Sequence, residues 1–231
     1  MSMRSDTVFT PAAAWLGAGM LATVSSLDDP EHRNRVQVRL CAFDGATQQD
    51  APMWARVVSA FAGDDRGVFF LPDVGDEVLV VFAQGDARFP LVVGGLWNGA
   101  AAAPADTQSG GRNRYKRIRS KNGIVITLDD QDGQETLALE TPGGQKLTLQ
   151  DGPGTVKVED SNGNTITLDS SGVTVQAAAS VTVQASSVSV SAGTVSVDAA
   201  MANFSGVVQC STLITNAVIS SSYTPGAGNV W

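Results

Sequence analysis

The sequence predicts an all-β protein with a small closed barrel near its N-terminus and a stack of short strands after it. Five strand-like runs separated by turn residues fall within about 80 residues, which is typical of a small closed barrel. Beyond residue 122, short pairs of apolar residues recur along the chain, and the sequence shows almost nothing that reads as a long amphipathic helix.

The barrel strands are predicted at residues 20–25, 35–41, 55–61, 78–82 and 91–96, with turn signals between them. This number and spacing of strands suits the OB fold, whose closure removes exposed strand edges. We expect four large side chains to fill the barrel interior: Trp54, Phe70, Phe82 and Trp97.

A linker and a basic segment follow the barrel. Residues 100–111 are rich in Ala, Pro, Ser and Gly, and residues 112–121 contain six basic side chains. The basic segment could bind nucleic acid, but Tyr115 is its only aromatic residue and therefore its only stacking surface. We favour a basic collar that offsets the acidic segment beginning at Asp129.

The strongest signal is a repeat of apolar pairs at positions i and i+2. Period-2 spacing places both side chains of a pair on one face of a strand, with polar residues on the other face. The interval between pairs shortens from about ten residues to seven. The pairs are Ile124/Ile126, Leu137/Leu139, Leu147/Leu149, Val156/Val158, Ile166/Leu168, Val173/Val175, Val181/Val183, Val188/Val190 and Val195/Val197.

A face only two side chains wide cannot form a core by itself. Each buried Val or Ile contributes roughly 1.5–3 kcal/mol, against roughly 1–2 kcal/mol of backbone entropy per ordered residue. The strands must therefore stack into a prism, built either by one chain coiling on itself or by three chains together. In both arrangements the eight valines of the last four pairs form the core: Val173, Val175, Val181, Val183, Val188, Val190, Val195 and Val197.

Charge is distributed unevenly along the chain. Residues 1–121 hold 13 acidic and 13 basic side chains, whereas residues 122–231 hold 10 acidic side chains and only Lys146 and Lys157. An acidic shaft with an uncharged end disfavours nucleic acid as a partner. The N-terminal residues lack the pattern of a signal peptide, and we expect synthesis in the cytoplasm.

No catalytic, cofactor-binding or metal-binding residue is predicted. The one histidine, His32, lies in a charged turn without a positioned partner, and Cys41 and Cys210 have no second histidine to activate them. The Asp clusters match no calcium-loop pattern, so we interpret them as solvated turn residues.

The barrel sequence resembles the OB domain of the phage baseplate spike (gpV-like) and VgrG family. Four blocks carry the resemblance: DDPEHRNRVQV at 28–38, WARV at 54–57, GVFFLPDVGDEVLV at 67–80, and FAQGDARFP at 82–90 with VGGLWN at 93–98. Residues 119–129 and ETPGG at 140–144 resemble the segment that opens the needle in that family. The His-x-His pattern of iron-binding spike tips is absent from this sequence.

The resemblance implies a trimeric structural spike of a contractile injection particle, with an OB barrel followed by an intertwined β-helical needle. It would cap the inner tube, contact a hub protein at the OB end, and pierce the target cell envelope. A PAAR-type tip protein could dock at the C-terminal end, where we propose Tyr223 and Trp231 as tip residues. The alternative function is a monomeric β-solenoid adhesin or carbohydrate-active protein.

Four segments follow from this interpretation. They are residues 1–99 for the N-terminal segment and barrel, 100–121 for linker and collar, 122–200 for the needle, and 201–231 for the uncharged tip.

Overall fold

The structure, a computed structural model, describes residues 18–43, 51–104 and 111–222. Its secondary structure there consists of fourteen strands and two short 3-10 turns, which confirms the predicted all-β class. The described residues contain no helix that is long and apolar enough to cross a membrane. The chain divides into two units, Met1–Ser180 and Val181–Trp231, and the first contains every strand.

Five strands close into a barrel in the order β1-β2-β3-β7-β6, with β6 pairing back onto β1. All neighbouring pairs are antiparallel except β3 and β7, which run parallel. A small hairpin, β4 (Ala62–Gly63) with β5 (Arg66–Gly67), lies outside the barrel sheet. The barrel strands are β1 (Met20–Ser26), β2 (Val36–Leu40), β3 (Met53–Val57), β6 (Glu77–Phe82) and β7 (Pro90–Gly95).

Small β-branched side chains fill the barrel. Along β1 and β6 buried and less buried positions alternate, as expected for strands with one face inward. The large side chains that are fully buried are all valines: Val24, Val36, Val38, Val78, Val80 and Val92.

Three of the four rings expected in the core lie outside it. Phe82 is buried, but Phe70 and Trp97 are 69% and 70% exposed, and both lie beyond strand ends, Trp97 after β7 and Phe70 in the segment before β6. Trp54 is half-buried on the outer side of β3, because the neighbouring Ala55 takes the inward position. The prediction was wrong for these three rings. A five-stranded barrel leaves interior space for valine-sized side chains, so large rings are displaced to its ends.

One carboxylate organises the turn between β1 and β2. Asp29 is buried and accepts hydrogen bonds from the backbone N–H groups of Glu31, Arg33 and Arg35. The Arg35 guanidinium binds both Asp29 oxygens, with the Nη2 bond at 2.7 Å. Arg35 first and these backbone donors next hold the pKa of Asp29 well below its ordinary value of 3.8. The turn therefore has a single ionised anchor.

Seven further strands form one antiparallel sheet in sequence order, β8 to β14. Tight turns join them, and Gly144 and Gly163 adopt φ of +87°, a conformation that glycine tolerates without strain. The strands are β8 (Tyr115–Arg119), β9 (Val125–Asp129), β10 (Thr136–Glu140), β11 (Lys146–Gln150), β12 (Thr155–Glu159), β13 (Thr165–Asp169) and β14 (Gly172–Gln176).

We expect Asp29→Asn to lower the melting temperature of the barrel at pH 7, because it leaves Arg35 without its charged partner. The folded-state pKa of Asp29 lies well below its unfolded value of 3.8, so its stabilisation is complete above about pH 5 and is lost progressively as the pH falls below that unfolded value. The difference in melting temperature between wild type and Asp29→Asn, measured by calorimetry, should therefore become smaller as the pH falls. Asp28→Asn, at an exposed neighbour, serves as control, and a gap that is constant from pH 7 to pH 2 would contradict this account.

Candidate functional site

One face of the seven-stranded sheet carries two continuous columns of apolar side chains. The strand registers place Leu137 opposite both Leu128 and Leu149, and Leu139 opposite both Ile126 and Leu147. The columns continue through Val156 and Val158 on β12, Ile166 and Leu168 on β13, and Val173 and Val175 on β14. The alternation predicted from sequence is therefore confirmed across β10 to β14.

The strand register corrects one of the predicted apolar pairs and adds one residue to the columns. On β9 the two columns contain Ile126 and Leu128, so the prediction of Ile124/Ile126 was wrong by one step along the same face. Ile124 precedes the strand, whose first residue is Val125. Ile118 on β8 pairs with Ile126 and extends one column. The cations on either side of Ile118 concealed it in the sequence.

This apolar face lacks cover within the described residues. Some of its large side chains are half-buried, and the exposed fraction of the others ranges from 38% at Leu139 to 68% at Val173 on the last strand. Ala138, on the opposite face of β10, is the one residue of the sheet that is buried. An apolar patch that spans seven strands is larger than soluble monomers normally expose, and such patches mark interaction surfaces.

The opposite face of the sheet is polar, and its charged side chains on β10 to β12 form ion pairs. Lys146 lies across from Glu140 on one side and Glu159 on the other, and its ammonium is 3.2 Å from the Glu140 carboxylate. Lys157 forms an ion pair with Glu159, and this contact lowers the pKa of Glu159. These exposed pairs suit a surface in contact with water, so the sheet is amphipathic with the apolar face as its candidate functional side.

The basic segment neutralises the first acidic residues of the sheet. Arg114 forms a two-pronged ion pair with Asp129, which lowers the pKa of that carboxyl, and Lys116 pairs with Asp130. Tyr115 lies between two guanidiniums, with the Arg114 and Arg117 carbons 5.1 and 5.7 Å from its ring centre. These contacts are the ones expected of a basic collar. Asp129 and Asp130 are ion-paired, so their interpretation as solvated turn residues was wrong.

The collar also contacts the barrel. The Lys121 ammonium is 3.5 Å from a carboxylate oxygen of Asp73, which lies in the segment before β6. The Arg117 guanidinium donates to the carbonyl of Pro104 at 3.2 Å. Tyr115–Arg119 is at the same time the first strand of the sheet. The limits of the four predicted segments stay predictions.

The proposed needle-core valines are all exposed in the single chain. Val173 and Val175 lie on β14, but residues 181–197 form no strand in the described structure. A strand requires a neighbour to pair its backbone groups. Their assignment to a core stays a prediction, and so does the tip assignment of Tyr223 and Trp231, which lie outside the described residues.

The side chains considered for chemistry are dispersed. His32 lies in the β1–β2 turn with φ of 52°, and its backbone N–H donates to the Asp29 carbonyl. Cys41 and Cys210 are both exposed. Within the described ranges, no group of three or more His, Cys, Asp or Glu side chains could hold a metal ion.

Two family models match the chain, and they fall on the two parts of the fold. Residues 20–97 match the type VI secretion system/phage-baseplate injector OB domain. Residues 136–196 match the phage baseplate V C-terminal trimerisation domain. Together the two ranges take in more than half of the 231 residues. The first contains the barrel, and the second contains most of the two-column face.

Curated relatives are named as spike proteins. The type VI secretion system spike protein VgrG1c of Pseudomonas aeruginosa is 28% identical over 110 residues, which is 45% of this chain and 15% of that protein. VgrG4b of the same organism is 33% identical over 98 residues, 41% of this chain and 12% of the relative. VgrG3 of Vibrio cholerae is 27% identical over 97 residues, 41% and 10% respectively. The matches thus span less than a sixth of each relative's length.

The two faces of β11 allow a matched test with adjacent residues. We expect Leu149→Asp to abolish assembly at micromolar concentration, because it places a charge on the apolar face, where burial costs several kcal/mol per ion. Thr148→Asp, on the polar face opposite Lys157, should assemble like the wild type. The readout is the molar mass by light scattering, and equal behaviour of the two variants would show that the faces are assigned incorrectly.

Proposed function

Because this chain belongs to the spike family of phage baseplates and type VI secretion systems, we propose that it is the central spike of a contractile injection particle. In this proposal three copies form an intertwined needle that caps the inner tube and pierces the envelope of the target cell. The observation that carries the proposal is the exposed two-column face, which lies largely within the segment matched as a trimerisation domain.

Three copies of the chain are enough to bury this face. Two side chains on one strand are separated by about 7 Å, since each residue rises about 3.4 Å. Three such narrow strips can meet around an axis and form a thin closed core, with every polar face outward. Each of the buried Leu, Ile or Val side chains would then contribute about 1.5–3 kcal/mol to assembly.

The backbone of residues 181–222 also lacks strand partners in the single chain. In the described single chain these residues have exposed apolar side chains and no strand partner. Three intertwined copies would supply both the core and the missing ladders, because each chain would pair with its two neighbours. Interlocked strands also resist shear, since removing one chain breaks ladders with both others. A spike driven by sheath contraction needs this mechanical property.

The proposed role is structural rather than enzymatic. The curated relatives are named as spike proteins. His32 is exposed in a turn, where its neighbours Glu31 and Arg33 form an ion pair at 3.2 Å with each other. A general base needs a positioned partner and a substrate within reach, and this turn offers an ion pair instead.

The monomeric solenoid alternative receives no support from the strand order. A solenoid coils successive parallel strands around its own interior. Here β8 to β14 form a single antiparallel layer in sequence order, and this layer encloses no interior.

Molar mass in solution tests the proposed function. We expect the purified chain of 23.9 kDa to give about three times this mass by light scattering, because the apolar face needs two further copies. The trimer should resist mild detergent, since the strands interlock. A folded species with the mass of one chain would contradict the proposal.

We propose that the uncharged tail, residues 199–231, receives a small PAAR-type tip protein. Val207 and Ile219 are 97% and 100% exposed, and no charged side chain follows Asp198. Three strand ends with apolar side chains need a cap. The trimer and a trimer lacking residues 211–231 can be compared for binding to the tip protein. We expect binding by the full chain only, and equal binding would exclude the tail as the docking surface.

A further inference from the structure

An arginine-rich surface of the barrel is not used by the needle. A groove of about 390 Å³ is lined by Arg33, Arg35, Trp54, Arg56, Arg88 and Phe89, together with Pro90. Trp54 and Arg56 are two residues apart on β3 and point away from the core, since the residue between them, Ala55, is buried. Arg33 and Arg56 also line a second groove of about 620 Å³ that includes the exposed Phe69 and Phe70.

We propose that these two grooves, here called the Arg56 surface, dock an acidic segment of the baseplate hub protein. This inference rests on the proposed function, because a spike must be held at its barrel end. It adds which side of the barrel is held and by what chemistry: one partner carboxylate on Arg56, with apolar partner side chains against the exposed rings.

Three of the four guanidiniums around the smaller groove already have carboxylate partners. Arg35 pairs with Asp29 at 2.7 Å, Arg33 with Glu31 at 3.2 Å, and Arg88 with Asp86 at 2.6 Å. Arg56 has no carboxylate partner among the described residues, and its side chain is exposed. Arg56 is therefore the guanidinium of the smaller groove that is available to a partner, and a guanidinium binds a carboxylate with two parallel hydrogen bonds.

The residues around Arg56 have the composition of a protein interface. The Arg35 guanidinium lies 5.9 Å from the ring centre of Trp54, and that of Arg88 lies 5.6 Å from Phe89. Arginine and aromatic residues are enriched where protein interfaces have their largest binding energies. Stacked, ion-paired arginines also present a surface with little left to order on binding.

The turn between β1 and β2 is prepared for this role. The Asp29 carboxylate binds the backbone N–H of Arg33 at 3.0 Å, and the residues on both sides, His32 and Asn34, have positive φ values of 52° and 56°. Such backbone persists only where the surroundings fix it. Arg33 is therefore presented to the groove from a rigid turn.

A polyanion is a poor occupant of this surface. Nucleic acids are held by several phosphate contacts, whereas the two grooves together contain two guanidiniums without a carboxylate partner among the described residues, Arg56 and Arg66. Arg56 beside the exposed rings is complementary to a protein segment with a carboxylate and a neighbouring apolar side chain.

The test measures the affinity of the full-length assembled chain for the recombinant hub protein of the same particle by calorimetry. We expect Arg56→Gln to weaken binding roughly tenfold or more, as at an interface residue of high energy. Arg56→Lys should be intermediate, because it keeps the charge but loses the two-pronged geometry. Arg119→Gln, the same change on the exposed collar, should bind like wild type. Unchanged melting temperatures would establish that the variants are folded.

The outcomes separate this inference from the proposed function. Wild type that binds the hub while Arg56→Gln binds equally well would overturn the Arg56 surface alone. Wild type that does not bind the hub would contradict the proposed function and this inference together. Tight binding of a single-stranded oligonucleotide, lost in Arg56→Gln, would overturn the assignment to a protein. Loss of the assembled mass in Arg56→Gln would assign the surface to a neighbouring copy of the chain and likewise overturn it.

Discussion

The seven-stranded sheet has an apolar face only two side chains wide, and one chain has no way to bury it. A single layer of strands satisfies its backbone hydrogen bonds within the chain, but it encloses no interior. The polar face carries its own ion pairs and needs no further cover. The exposed columns therefore leave apolar surface available for contacts with other chains, in agreement with the match of this segment to a trimerisation domain.

The barrel, in contrast, buries its apolar side chains within a single chain. Its buried cluster includes six valines from four of the five strands, and closure leaves its sheet without an edge. Such a unit can fold as a single chain, whereas the stacked strands depend on chain concentration. The ion pair between Lys121 and Asp73 joins the two parts at this junction.

Sequence patterns were most informative where a period-2 rule applies. The five barrel strands were located to within a few residues, except for the C-terminal limit of β3 at Val57. The columns from Leu137 to Val175 were also predicted correctly. Errors arose where the rule gives no answer. Ile124 and Ile126 share a face with Leu128, so spacing alone could not decide which two lie on the strand. Phe70 and Trp97 are large and apolar, but both lie beyond the ends of strands, so their hydrophobicity did not place them inside the barrel.

The distribution of charged side chains along the sequence is compatible with the proposed needle. Three acidic strands brought together around an axis would repel one another, most strongly where the sheet begins. That is where Arg114 and Lys116 neutralise Asp129 and Asp130. Farther along, Lys146 and Lys157 are each placed beside Glu159. Beyond Asp198 the sequence has no charge to compensate. The charged side chains thus become fewer along the chain, while the apolar side chains of residues 181–222 are all exposed in the single chain.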